Sequence, residues 1–252
     1  MNAQELFDGF RRPAPRPLSM MTAYDSTFSA IVAESGVDAI LVGDSLANTM
    51  LGMGKTAQVG MREMLHHTAA VRRGAPGACI LVDLPFGADS SPDLADANSR
   101  LLVEAGADGV KLEGCVPDQV RAIRAAGIAV VGHLGLLPQT ATSFKQAGRT
   151  DEDRERILRE AKIMEEAGCC ALVLEHIPSE LGKIVSESIT IPTVGIGAGP
   201  HCGGQVLVLH DVLGLSARQP PFAPARVNLR AIALEALREY HKDVSERTFP
   251  AA

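Results

Sequence analysis

Tryptophan is absent from this 252-residue chain, and only two Tyr and seven Phe occur. A core for such a chain must therefore be packed from Ala, Val, Ile and Leu, the residues that fill the layers of barrel interiors. Positive charge is not in excess: 24 Lys and Arg face 30 Asp and Glu, for a net charge of −6. General nucleic-acid binding needs a basic surface, and the two short clusters, Arg11–Arg12 and Arg72–Arg73, read as solvated surface. The five cysteines at 79, 115, 169, 170 and 202 make no C-x-x-C pair. An odd count with one adjacent pair argues against a disulfide framework and for a reducing compartment. No apolar run approaches the roughly 18 residues a membrane helix needs. The stretch from Met1 to Asp8 has no basic region followed by an apolar one, as a secretory signal would. We therefore expect a soluble protein of the cytoplasm that binds neither membrane nor nucleic acid.

What is present is a repeating unit. A helix-like stretch ends in Glu-x-Gly and an apolar run follows. Glu34-Ser35-Gly36 precedes residues 39–44, Glu104-Ala105-Gly106 precedes 109–113, and Glu166-Ala167-Gly168 precedes 171–175. A variant, Arg124-Ala125-Ala126-Gly127, precedes 128–133. Glycine after a helix takes the left-handed conformation without steric cost. A continuously apolar run is the mark of a parallel strand buried on both faces. Eight strands are predicted, at residues 18–23, 39–43, 79–84, 109–113, 128–133, 171–175, 193–196 and 205–210. Amphipathic helices are predicted at 28–35, 61–73, 92–105, 118–126, 151–167 and 179–188. Strand–helix alternation on this length predicts a TIM (β/α)8 barrel, with a doubly wound open sheet as the alternative. No good helix separates the last two strands. Residues 2–10 and 228–247 read as further helices, and the whole of 1–252 as a single barrel domain.

Catalytic groups of a barrel lie at the C-terminal ends of its strands. Here Asp44, Asp83, Glu113, His133 and Glu175 end strands two to six. One such carboxylate is commonly a helix cap, but four acids and a His on successive strands form a site, since converging acids repel unless something binds them. Asp and Glu oxygens favour a hard divalent cation, Mg²⁺ first. Asp44, Asp83 and Glu113 could share one ion, directly or through water. Lys111 lies two residues before Glu113, so both point into the barrel. Beside carboxylates Lys111 is either a structural partner or an anchor for a substrate carboxylate; paired and protonated, it is a poor Schiff-base nucleophile. A 2-oxo acid chelated by the ion would have its ketone polarised and its enolate stabilised. The base for the neighbouring proton would be Glu175 or His133.

In these segments the chain resembles the ketopantoate hydroxymethyltransferase family. The matching motifs are Met21-Thr22-Ala23-Tyr24-Asp25, Leu41-Val42-Gly43-Asp44-Ser45-Leu46, His67–Pro76, Asp83-Leu84-Pro85-Phe86 and Val110-Lys111-Leu112-Glu113-Gly114. They continue through Gly132-His133-Leu134-Gly135-Leu136, Leu172-Val173-Leu174-Glu175, Gly195-Ile196-Gly197-Ala198-Gly199 and Val208-Leu209-His210-Asp211. The resemblance implies a barrel of the phosphoenolpyruvate mutase/isocitrate lyase-like type. It also implies transfer of a hydroxymethyl group from 5,10-methylenetetrahydrofolate to 3-methyl-2-oxobutanoate, giving ketopantoate for pantothenate and coenzyme A biosynthesis. By the same resemblance Asp44, Asp83 and Glu113 are the metal-site carboxylates, and Ser45 and Lys111 hold the substrate carboxylate. Asp44 and Asp83 also touch substrate, Glu175 is the proton acceptor and His133 a pocket histidine. A large homo-oligomer, of decamer size, is implied as well.

The chain departs from the family pattern in its loops. Residues 140–149 are about three residues shorter than expected and lack a Gly-Gly-aromatic element. Asp89 stands where an aromatic is usual, residues 53–60 differ from a polar Thr-containing run, and Gly203-Gly204 replaces Asp-Gly. Loops at strand ends decide what a barrel accepts, so weakened or altered folate use is expected over an intact rim. Two alternatives stay open: a Mg²⁺-dependent 2-oxo-acid lyase or decarboxylase of the same superfamily, and a non-catalytic paralogue. The glycines of residues 195–199, followed by Pro200, read as a tight turn instead of a phosphate loop. His66 and His67 face different ways on a helix, and His176, His201 and His210 read as hydrogen-bonded wall or loop residues.

Overall fold

The fold is described from a computed structural model covering residues 2–216 and 219–250. The chain divides into two compact units between Val206 and Leu207. Eight parallel strands, all in the first unit but for the last residue of β8, close in sequence order: β1 (Leu18–Thr22), β2 (Ala39–Val42), β3 (Cys79–Asp83), β4 (Gly109–Glu113), β5 (Ala129–Gly135), β6 (Ala171–Glu175), β7 (Thr193–Ile196) and β8 (Gly204–Leu207). The helices are α1 (Ala3–Asp8), α2 (Ser26–Glu34), α3 (Leu46–Thr49), α4 (Met61–Gly74), α5 (Pro92–Glu104), α6 (Pro117–Ala125), α7 (Asp151–Ala167) and α8 (Ser179–Ser188). The barrel expectation holds.

Local chemistry explains where these helices begin and end. The side chains of Asp25, Ser91 and Thr150 accept hydrogen bonds from the first-turn amides of α2, α5 and α7, which would otherwise be left unpaired. The glycines of the repeat, Gly36, Gly106, Gly127 and Gly168, all have positive φ. Gly168, at φ +108°, ends α7 and turns the chain into β6.

The period of two along each strand sorts side chains between barrel interior and helix layer. Leu18, Met20, Ala39, Leu41, Cys79, Leu81, Ala129, Val131, Ala171 and Val173 form one interior cluster. Asp83, His133 and Glu175 continue the same alternation two residues further along β3, β5 and β6, as Lys111 and Glu113 do along β4. The interior is thus apolar below and ionic at the top. The lower end is closed by α1, whose Ala3, Leu6 and Phe7, with Phe10, join that cluster. Full burial of a Leu or Phe side chain there contributes about 1.5–3 kcal/mol.

Three details differ from expectation. The eighth strand ends at Leu207, short of His210, which lies on a short helix, α9 (Leu209–Val212). The fifth strand runs on to Gly135. Residues 46–58, predicted as neither helix nor strand, form α3 and a 3-10 turn at Thr56–Gln58. Between β7 and β8 the chain makes only turns and bends, as its sequence suggested.

The second unit holds α9 and α10 (Leu229–Glu246). Asn228 caps α10 by accepting from the Ala231 amide at 3.0 Å, and none of the helix's residues is buried. Among the described residues no helix is long and apolar enough to cross a membrane.

Candidate active site

All the residues expected at the site lie at one end of the barrel. Asp83, Glu113 and Glu175 are the last residues of β3, β4 and β6, and Asp44 follows β2 by two residues. Strand register sets their neighbours: Asp83 pairs with Lys111, Glu113 with His133, and Gly135 with Glu175. Gly135 is required there. Its φ is +102°, and a Cβ would collide with the Glu175 carbonyl, so only glycine lets β5 and β6 approach at the rim.

Two contact networks meet in this mouth. In the first, Lys111 Nζ lies 3.1 Å from Asp83 Oδ1, and the Asp44 amide donates to Asp83 Oδ2 at 3.0 Å. In the second, His133 Nε2 lies 3.3 Å from Glu175 Oε2, and Nδ1 lies 3.5 Å from Glu113 Oε1. Lys111 Nζ, 3.3 Å from His133 Nδ1, joins the two. With Nδ1 bare, His133 accepts from Lys111; doubly protonated, it faces both acids as an ion-pair partner, its Nε2 making no aligned hydrogen bond. Asp44, Asp83, Lys111 and His133 are each at most 5% exposed, so these charges act with little solvent screening.

The electrostatics follow from this crowding. Burial, and then the neighbouring Asp83, push the Asp44 carboxyl up to about 7 against the pull of Lys111. Burial likewise raises Asp83. For Lys111 burial opposes the charge, but Asp83, Glu113 and Asp44 outweigh it and the ammonium is held above its ordinary range. Burial and Lys111 oppose a charge on His133, yet Glu113 and Glu175 prevail and hold the imidazole at about 9. Burial disfavours the Glu113 carboxylate, but its contacts with His133 and Lys111 bring it below its ordinary value.

Among the described residues, no three His, Cys, Asp or Glu side chains already converge as a ligand cluster. Asp44 and Asp83 are neighbours, whereas Glu113 is turned toward His133 and toward the Gln139 amide, which donates to its Oε2 at 3.1 Å. The donor set still fits a hard divalent cation, since it is all carboxylate oxygen and Asp44 and Asp83 lie side by side at the mouth.

Ser45 immediately precedes α3, and its Oγ lies 2.9 Å from the Tyr24 hydroxyl. Tyr24 is buried and its phenol is pushed up to about 12, chiefly by that burial. Its carbonyl meets His67 Nδ1 at 2.6 Å; His66 and His67 stand edge-on and do not form a pair facing one ligand. Sequence reasoning missed three members of this surround. Tyr24 and His67 lay inside recognised motifs but carried no charge pattern, and Gln139 is a neutral residue in an aperiodic loop. Asp89, the loop departure, has its carboxyl raised by burial, with Glu113 adding to the effect.

Comparison with known proteins places the whole chain among its relatives. A 3-methyl-2-oxobutanoate hydroxymethyltransferase of Cyanothece sp. is 47% identical over 245 residues, covering 94% of each chain. The enzyme of that name from Ignicoccus hospitalis is 47% identical over 237 residues, covering 92% of this chain and 90% of its own. Among solved structures, phosphonopyruvate hydrolase superposes with a TM-score of 0.68 at 14% identity, covering 100% of this chain and 90% of that one. Phosphoenolpyruvate phosphomutase from Streptomyces platensis subsp. rosaceus gives 0.66 at 14%, covering 97% and 87%. These two share the fold. Residues 9–252 match the sequence profile of ketopantoate hydroxymethyltransferase, and the chain belongs to that family.

Proposed function

We propose that this protein is a 3-methyl-2-oxobutanoate hydroxymethyltransferase, which moves a one-carbon unit from 5,10-methylenetetrahydrofolate to 3-methyl-2-oxobutanoate and forms ketopantoate. The observation that carries the reading is the meeting of two networks at one mouth. An anion-binding group, Lys111 with Asp83, stands beside a proton-accepting pair, Glu175 with His133. Lys111 and Ser45 receive the substrate carboxylate, and Asp44 and Asp83 border it. Glu175 takes the proton from C3, and His133, whose Nε2 lies 3.3 Å away, holds it in place by charge. Water releases the folate's methylene carbon as formaldehyde while tetrahydrofolate departs. The electron pair left on C2–C3 then forms the new bond to that carbon, whose oxygen takes a proton to become the hydroxyl. Asp44, Asp83 and Glu113 would hold a divalent cation, Mg²⁺ or similar, which when bound supplies Lewis-acid polarisation of the substrate ketone. The working protein is a cytoplasmic homo-oligomer of decamer size.

Ketopantoate production is tested directly by incubating the protein with Mg²⁺, 3-methyl-2-oxobutanoate and 5,10-methylenetetrahydrofolate. Deuterium exchange at C3 is followed in parallel without folate. The expected result is exchange alone without folate and ketopantoate with it. Exchange that never leads to ketopantoate would return the protein to the lyase class of the same superfamily, and absence of both would make it non-catalytic.

A further inference from the structure

Gln139 sits in the loop between β5 and α7, the segment in which this chain is shortened. Its side-chain Nε2 donates to Asp44 Oδ2 at 2.8 Å and to the Leu84 carbonyl at 3.0 Å. Its main-chain N–H donates to Glu113 Oε2 at 3.1 Å. One residue after β5 therefore reaches the ends of β2, β3 and β4. We propose that Gln139 is a positioning residue that latches loop 136–149 onto Asp44 and Glu113, so that the loop's place and the orientation of both acids are set together.

The residue type fits the task. A primary amide nitrogen carries two N–H donors, and the two acceptors it meets come from different strands. Glutamate has the same shape but offers acceptors where donors are needed, and asparagine is one methylene too short to span the gap. Hydrogen bonds to carboxylates are the stronger kind, and Asp44, buried beside Asp83, gains from a donor that brings no added charge. Beyond the latch, Thr140 and Ala141 donate only locally, to the Leu137 carbonyl. The loop is next tied at its far end, where the Ala147 amide donates to the His176 carbonyl at 3.0 Å and the Gly148 amide meets the Asp153 carboxylate. Between these ties residues 142–145 are exposed, Phe144 at 76%. Releasing Gln139 frees that span and lets Asp44 and Glu113 turn.

The inference rests on the proposed function only for what the acids do, so its test begins without ligand. Trypsin cleavage after Lys145 in the intact protein is followed by mass spectrometry. Gln139→Ala should cleave about ten- to a hundredfold faster than the parent, the range for loss of a charge-assisted hydrogen bond when cleavage tracks the open population. Gln139→Glu keeps the shape and replaces the donors, so it should loosen the loop in the same way even where the alanine variant fails to fold. Thr142→Ala, on the same loop but outside the latch, should cleave at the parental rate. In C3 exchange, kcat of the Gln139 variants should fall about tenfold or more, and KM for 3-methyl-2-oxobutanoate should rise by less than that, because Asp44, which borders the substrate, is displaced while Lys111 and Ser45 are untouched. Parental cleavage rates in both Gln139 variants would overturn the latch. A loosened loop with unchanged kcat would overturn the positioning of the acids. A loosened loop in a protein whose parent forms no ketopantoate leaves the latch standing and removes the proposed reaction instead.

Discussion

Lys111 and Asp83 are register partners on adjacent strands, and their buried side chains meet at 3.1 Å. Removing one member of a buried pair leaves the other uncompensated. Lys111→Met should therefore destabilise the barrel by about 3 kcal/mol near neutral pH, as read by urea unfolding. The loss should shrink as the pH falls through Asp44's value of about 7, because protonated acids no longer need the ammonium. An effect that grows toward low pH would contradict this account.

Metal removal is the second test. Chelation should abolish both C3 exchange and transfer, and Mg²⁺ should restore them. Ion binding to the folded site should also raise the melting temperature, with about 2.7 kcal/mol of added stability at a hundred times Kd. Full activity with excess chelator would dismiss Asp44, Asp83 and Glu113 as metal ligands.

Glu175→Gln preserves size and removes basicity. C3 exchange should drop by about two to four orders of magnitude, the usual contribution of a general base. Mg²⁺ affinity, measured by calorimetry, should stay close to that of the parent. Near-normal exchange in this variant would move the base to His133 or to water.

Asp38 gives a pH signature away from the site. Arg16 holds its carboxyl at about 2, against an ordinary 3.8, and the Ser19 amide and hydroxyl add to the effect at 2.8 Å each. A depressed carboxyl stabilises the fold above its unfolded value, and that stability is lost as pH falls from 3.8 toward 2. Since Arg16 is 57% exposed, solvent screening leaves only a small part of that shift as stability. Asp38→Asn should therefore cost stability at pH 6 and almost none near pH 2, as measured by denaturant titration. An equal cost at both values would assign the effect to packing.

The shortened loop separates the two half-reactions. Oxo-acid enolisation depends on the rim and should be ordinary, while use of 5,10-methylenetetrahydrofolate should be weakened. Inserting a Gly-Gly-aromatic element after Gln139 should improve transfer without changing exchange. High folate affinity in the parent would make the loop difference neutral.

The strands were legible in the sequence because a buried parallel strand is a continuous apolar run, and β4, β6 and β7 were placed to the residue. The acids, Lys111 and His133 were legible because charged and titratable groups ending apolar strands are conspicuous. Gln139 was hidden for the opposite reason: it is neutral, and its partners lie 26, 55 and 95 residues away. The misplaced end of β8 has a similar cause, since an apolar run through Leu209 reads alike as strand or as one helical turn.

With α1 stopping its lower end, the barrel is a blind-ended vessel. Among the described residues of the barrel unit, Lys111 lies at the end opposite α1, on the side to which Gln139 ties loop 136–149. Under the proposed reaction a small oxo acid seated at that depth should lie beneath anything as large as a folate, so binding is expected to run as a queue, with the oxo acid first in and its product last out.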